Sequence, residues 1–152
     1  MLYILEGCDC AGKTTLASLL NKAIENSTII HCNRETPNDM DFFRDIILAS
    51  SDYNIIADRF CYGQYVYQNE GDRPLDYDKD EGETWDGYSR LHKLETYMLN
   101  FTKVKLIYVY SDAKTIYERA TSRGEVVDAD HILRKYSELW TKTLIQPIYF
   151  KT

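Results

Sequence analysis

A chain of 152 residues, 44% of them hydrophobic, has the size and composition of one compact domain with a single core. Its formal charge of -6 excludes the broad cationic face that duplex nucleic acid requires, while a few arginines gathered in a cleft still suffice for a small phosphorylated ligand. No apolar run nears the roughly 18 residues of a membrane span. Met1 leads into a strand-like run rather than an export signal, so the expectation is a cytoplasmic chain with no membrane partner.

Leu2 to Glu6 reads as a first, buried strand. The stretch Gly7-Cys8-Asp9-Cys10-Ala11-Gly12-Lys13-Thr14 that follows fits GxxxxGK[ST] in the required context, after a strand and before a helical pattern. In that helix Leu16, Leu19, Leu20, Ala23 and Ile24 recur at helical spacing as one stripe. Thr28 to Cys32 is a second strand, and a helix from about Asp39 turns Phe42, Phe43, Ile46 and Ile47 inward. Asn54 to Asp58 is a third strand. From Glu70 to Asp86 the chain turns acidic and aperiodic, with Gly71, Pro74 and Gly82 as breakers, and reads as a solvated loop.

A helix over Thr84 to Asn100 gathers Trp85, Tyr88, Leu91, Met98 and Leu99 near one face. Val104 to Tyr110 is the fourth strand, and Asp112 can cap a short helix carrying Ile116 and Ala120. A last helix from Asp130 to Gln146 presents Ile132, Leu133, Tyr136, Leu139, Trp140 and Leu144 before Pro147 stops it, and Pro147 to Phe150 is a weaker fifth strand. Alternating strands and helices predict an α/β fold, one five-stranded parallel sheet with helices on both faces, whose ligands bind at the carboxyl ends of the strands. Cys8, Cys10, Cys32 and Cys61 have no CxxC spacing and read as reduced, free thiols near that edge.

The chemistry concentrates there. Loop N–H groups of Gly7 to Thr15 and the helix N-terminus can cradle a polyphosphate, Lys13 can reach its outer phosphates, and the Thr14 hydroxyl can hold Mg²⁺. Asp58, at the end of its strand, can hold Mg²⁺ directly or through water, and Arg59 can reach a phosphoryl group of either substrate. Arg119 and Arg123, spaced i to i+4, project from one side of a helix that ends near Gly124 and can close over phosphates as a lid.

Distributed across these positions, the chain resembles the thymidylate kinase family of nucleoside-monophosphate kinases, and more distantly the deoxynucleoside kinases. Glu6 to Thr15 is similar to that family's EGxDGxGKTT loop, and Asn33-Arg34-Glu35-Thr36-Pro37 to its TREPG segment. Asp58-Arg59-Phe60 with Tyr65, Tyr67 and Gln68 resembles its DRY…AYQ stretch, and Glu118 to Glu125 its lid. The resemblance implies a P-loop kinase domain over residues 1–152, with a short lid at about 119–128. Lys13, Thr14, Arg119 and Arg123 would serve ATP and Mg²⁺, while Asp9, Arg34, Arg59, Tyr65 and Gln68 would face the acceptor. Cys10 stands where the family has a glycine, and the choice of base and a homodimer both stay open.

For a monophosphate acceptor, Arg34, Arg44 and Arg59 could supply cations. A nucleoside acceptor would instead need a base for its hydroxyl, for which Glu35 fits the deoxynucleoside kinases' arrangement. Arg34 beside Glu35 favours the monophosphate. A hydroxyl on nucleic acid is opposed by the acidic balance, and a GTPase-type switch by the missing NKxD element.

Overall fold

The computed structural model describes residues 1–33, 35–37, 39–67 and 88–152. The expectations for Arg34, Gln68, Trp85 and the acidic loop at about 70–86 lie outside the described residues. Among the described residues five strands, β1 (Leu2–Glu6), β2 (Ser27–His31), β3 (Asn54–Asp58), β4 (Val104–Tyr110) and β5 (Ile148–Lys151), form one sheet in the order β2-β3-β1-β4-β5. Every pairing is parallel. The central strands carry Leu2, Ile4, Leu5, Ile55, Ile56, Leu106 and Val109 into the core, which is why they read as continuous apolar runs.

Among the described residues six helices connect them: α1 (Lys13–Ala23), α2 (Met40–Ala49), α3 (Tyr62–Tyr67), α4 (Ser89–Phe101), α5 (Ala113–Ser122) and α6 (Ala129–Trp140). Helix α1 packs on β1, β2 and β3, and α2 and α4 pack together. Side-chain caps start three of these helices: Asp39 accepts from Phe42 N–H at 2.7 Å, Asp112 from Thr115 N–H at 2.9 Å and Asp128 from His131 N–H at 3.3 Å.

The structure departs from expectation at several places. On α1 it is Ala17 that is buried, whereas Ala23 is exposed and Leu19 is 57% exposed, because Leu19 walls a surface cavity rather than the core. Leu99 and Leu144 are likewise exposed. Helix α6 ends at Trp140, six residues before the expected Gln146. The cause is a competing acceptor: the amides of Leu144 and Ile145 donate to the carboxylate of Glu95 on α4, at 2.8 and 3.1 Å, instead of continuing the helical ladder. Helix α3, only six residues long, was not expected.

Several of the chain's thirteen tyrosines gather in one aromatic layer. Tyr136 and Trp140 stack with ring centroids 5.6 Å apart, and Tyr62, Tyr67 and Tyr108 close around them. Aromatic rings fill that layer with large, stiff side chains, giving the loops above a firm floor.

Candidate functional site

The carboxyl ends of β1, β2 and β3 converge on a polar cavity of about 300 Å³. Its phosphate-loop wall is Asp9, Cys10, Gly12, Lys13, Thr14 and Thr15; the opposing wall is His31, Cys32, Asn33, Asp58 and Arg59, with Arg123 and Glu125 above. Gly7 has φ +152, and a Cβ there would stand 2.1 Å from the carbonyl oxygen of Val109, so only glycine lets the loop leave the sheet so tightly. Helix α1 begins at Lys13 with no side-chain cap, which leaves its amino-terminal dipole facing the loop.

Cys10 occupies the family's glycine position with φ +61, a left-handed conformation that costs a side-chain-bearing residue roughly 1 kcal/mol. Its thiol donates to the Glu125 carboxylate at 3.2 Å and lies 3.9 Å from Arg123, so the departure joins the phosphate loop to the segment after α5. All four cysteines are buried free thiols. Burial drives the Cys8 and Cys32 thiols up to about 12, leaving them protonated and weakly nucleophilic.

Lys13 is buried, and its ammonium donates to the Cys8 carbonyl at 2.7 Å. Burial, and then the Arg59 cation, push Lys13 down to about 8 from its ordinary 10.5. An anion in the cradle would reverse that shift. In the empty protein the cost of charging Lys13 is present in full below the folded value and fades between about 8 and 10.5, where the unfolded chain binds the extra proton. Lys13→Met is therefore expected to gain stability over the natural sequence at neutral pH, and that gain should shrink by about 3 kcal/mol as pH rises past 10. Urea unfolding of both proteins across this range is the check, and a gap independent of pH would refute it.

Asp58 is the junction of the opposing wall. Its Oδ2 accepts from the Thr14 hydroxyl at 2.7 Å and stands 3.1 Å from His31 Nδ1. A hydroxyl and a carboxylate facing a phosphate cradle are a hard, all-oxygen donor set that fits Mg²⁺ completed by water and phosphate oxygens. Arg59, at φ +70, extends its guanidinium over the Tyr67 ring, 4.8 Å from the centroid, and pairs with the Asp9 carboxylate of the loop.

Arg119 on α5 and Arg123, at that helix's C-cap, both reach Cys10 of the loop. Arg119 donates to the Cys10 carbonyl at 3.3 Å and to the Thr152 hydroxyl at 2.9 Å. It borders a second cavity of about 240 Å³, lined also by Leu16, Leu19 and Phe150, which shares Cys10, Gly12, Thr15 and Arg123 with the first. Three expected acceptor residues lie outside the first cavity's lining. Tyr65 accepts from the Leu91 N–H at 3.0 Å and stacks on Tyr88. Glu35 is exposed. Arg44 pairs with Asp41 on α2 at 3.5 Å. His31, Asn33 and Glu125 enter the site unforeseen; for His31 the signal is its register opposite Asp58, visible only once β2 and β3 are paired.

A parallel sheet of this order, with a phosphate loop after its central strand and an Asp-Arg pair after the neighbouring one, defines the P-loop nucleotide-kinase fold. Comparison with known proteins agrees. The chain is 30% identical over 148 residues to the SPbeta prophage-derived uncharacterized protein YorR of Bacillus subtilis (strain 168), covering 91% of this chain and 81% of that one. It thus belongs to the YorR family. The crystal structure of Bacillus subtilis YorR, in complex with phosphorylated GDP, superposes with a TM-score of 0.76 at 24% identity, over 99% of this chain and 85% of that one. Deoxyadenosine kinase from M. mycoides has the same fold at a TM-score of 0.54 and 16% identity, over 100% of this chain and 90% of the other. Thymidylate kinase from Candida albicans follows at 0.54 and 19%, over 99% and 82%. No protein-family model matches the sequence. Among the described residues, no helix is long and apolar enough to cross a membrane.

Proposed function

We propose that the chain is a kinase that moves the terminal phosphoryl group of ATP to a (deoxy)nucleoside monophosphate, with residues 1–152 as one catalytic domain and a short lid at about 119–128. One juxtaposition carries the reading: Lys13 and Thr14 of the phosphate loop face Asp58 and Arg59 across a single polar cavity, with Arg123 above. The nucleotide held by YorR supports a nucleotide ligand here as well.

An oxygen of the acceptor phosphate attacks the terminal phosphorus of ATP; the new P–O bond forms as the bond to the bridging oxygen breaks, and ADP leaves with that electron pair. The attacking oxygen is already anionic, so the residues must gather charge rather than remove a proton. Lys13 and Arg123 neutralise the donor side, and Arg59 exchanges Asp9 for the acceptor's phosphate. Thr14, and Asp58 directly or through water, would hold Mg²⁺, which would supply further neutralisation at phosphate oxygens. The second cavity, between α1, α5 and Phe150, would receive the donor's base and sugar.

A nucleoside acceptor is the second reading, favoured by one observation: with its Nδ1 held by Asp58, His31 can turn Nε2 toward an acceptor hydroxyl. Incubation with ATP, Mg²⁺ and panels of nucleosides and nucleoside monophosphates, read by product mass, separates the two. The expected product is a nucleoside diphosphate, with no hydrolysis from ATP alone. Phosphorylation of nucleosides only, or turnover without any acceptor, would overturn the proposal.

A further inference from the structure

Beneath the cavity lies a carboxylate that the proposed chemistry does not touch. Glu6, the last residue of β1, has 0% exposure. Its Oε1 accepts from the Phe60 N–H at 2.8 Å and the Gly63 N–H at 3.1 Å, and its Oε2 accepts from the Tyr136 hydroxyl at 3.0 Å. That hydroxyl also stands 3.3 Å from the carbonyl of Gly7, where the phosphate loop begins. Burial raises the Glu6 carboxyl above its ordinary value, against the nearby Arg59 cation and the three hydrogen bonds that hold it down. An apolar residue at the end of a buried strand would have avoided this desolvation cost. What the carboxylate provides in return is a connection among three segments: the start of the phosphate loop, the turn after β3, and α6.

The turn it grips needs holding. Arg59 sits at φ +70, an uncommon conformation for an arginine, which surrounding contacts must impose. Both of its flanking amides are anchored to β1: the Arg59 N–H donates to the Leu5 carbonyl at 2.9 Å, and the next N–H, of Phe60, donates to Glu6. The conformation thus imposed points Asp58 and Arg59 together into the cavity.

We propose that Glu6, with Tyr136, is a positioning residue for acceptor use: its buried carboxylate fixes the Asp58-Arg59 turn against the phosphate loop and so sets where the Arg59 guanidinium meets the acceptor's phosphate. This rests on the phosphoryl-transfer reading above. A displacement of about 1 Å at a reacting group can cost on the order of 100-fold in rate, so a loosened anchor should register in the acceptor's kinetics. A purely structural carboxylate would register only in the melting temperature.

The test uses Glu6→Ala, Glu6→Gln and Tyr136→Phe. Glu6→Ala orphans two N–H groups and should raise the acceptor's KM by roughly 10-fold, and Tyr136→Phe by roughly 3-fold, with the KM for ATP within about 2-fold in both. Glu6→Gln should restore acceptor KM to within about 3-fold, because its amide oxygen accepts both N–H groups while its NH₂ donates to Tyr136. Should Glu6→Ala fail to fold, Tyr136→Phe decides: a folded Tyr136→Phe protein with an unchanged acceptor KM overturns the inference, as does a Glu6→Gln protein no better than Glu6→Ala. Calorimetric binding of the nucleoside monophosphates separates this failure from that of the kinase reading. Natural protein that binds a monophosphate but transfers nothing overturns that reading alone, and the variants' binding ratios then decide the role of Glu6. Natural protein that binds none overturns both.

Discussion

Lys13→Ala is expected to abolish phosphoryl transfer, lowering kcat by at least about 10³-fold, while the folded protein survives. A cation aimed at charge that develops in transfer contributes about 3 to 4 kcal/mol when it acts in a sheltered site, and Lys13 is sheltered, at 6% exposure. The hydrogen bond its ammonium makes to the Cys8 carbonyl is one that a phosphate can outcompete, since that carbonyl also receives the Ala11 N–H at 3.3 Å. Structure should not suffer. Because burial already disfavours the ammonium, replacing it removes a liability from the empty protein, so circular dichroism should match the natural sequence and thermal melting should not fall below it. Turnover retained in a folded Lys13→Ala protein would refute the role assigned to the loop.

How much of this was legible in sequence depends on whether the signal was local. The phosphate loop is local: glycines, lysine and threonine at fixed spacing between a strand and a helix, so Lys13 and Thr14 could be placed in advance. The Asp58-Arg59 pair was legible too, because a carboxylate closing an apolar run must emerge at a strand end. His31 was not, since its partner is 27 residues away and meets it only through the pairing of β2 with β3. Glu6 was visible inside the phosphate motif but silent about its partners, which lie 54, 57 and 130 residues further on. Helix α3 escaped for a different reason: six residues, three of them tyrosine, are too few to show a helical stripe. The early end of α6 depends on Glu95, a competitor from another helix that no local pattern reports.

Backbone strain marks the same place independently. Of the three non-glycine residues with positive φ among the described residues, Cys10 and Arg59 line the cavity, while the third, Asn26, sits at an ordinary turn after α1. Left-handed arginine and cysteine persist only where neighbours over-determine them, and such residues gather at functional sites. Each supplies something a glycine could not: Cys10 a thiol joined to Glu125, and Arg59 a guanidinium across from Lys13.

That strain allows charge and backbone to be tested apart at Arg59. Arg59→Gly removes the guanidinium and relieves the left-handed conformation, whereas Arg59→Ala removes the guanidinium and keeps the strain. Both are expected to lower kcat/KM for the acceptor by about 100-fold or more, the scale of one lost charge contact in transfer, with the KM for ATP within about 3-fold. They should differ in stability: glycine is favoured over alanine at such a φ by roughly 1 kcal/mol, so Arg59→Gly should be the more stable of the two in urea unfolding. Neither keeps the stacking on Tyr67 or the pairing with Asp9, so those losses cancel between them. If Arg59→Gly retained acceptor turnover while Arg59→Ala lost it, the turn's conformation rather than its cation would govern transfer. Equal losses toward ATP and acceptor would place Arg59 on the donor instead.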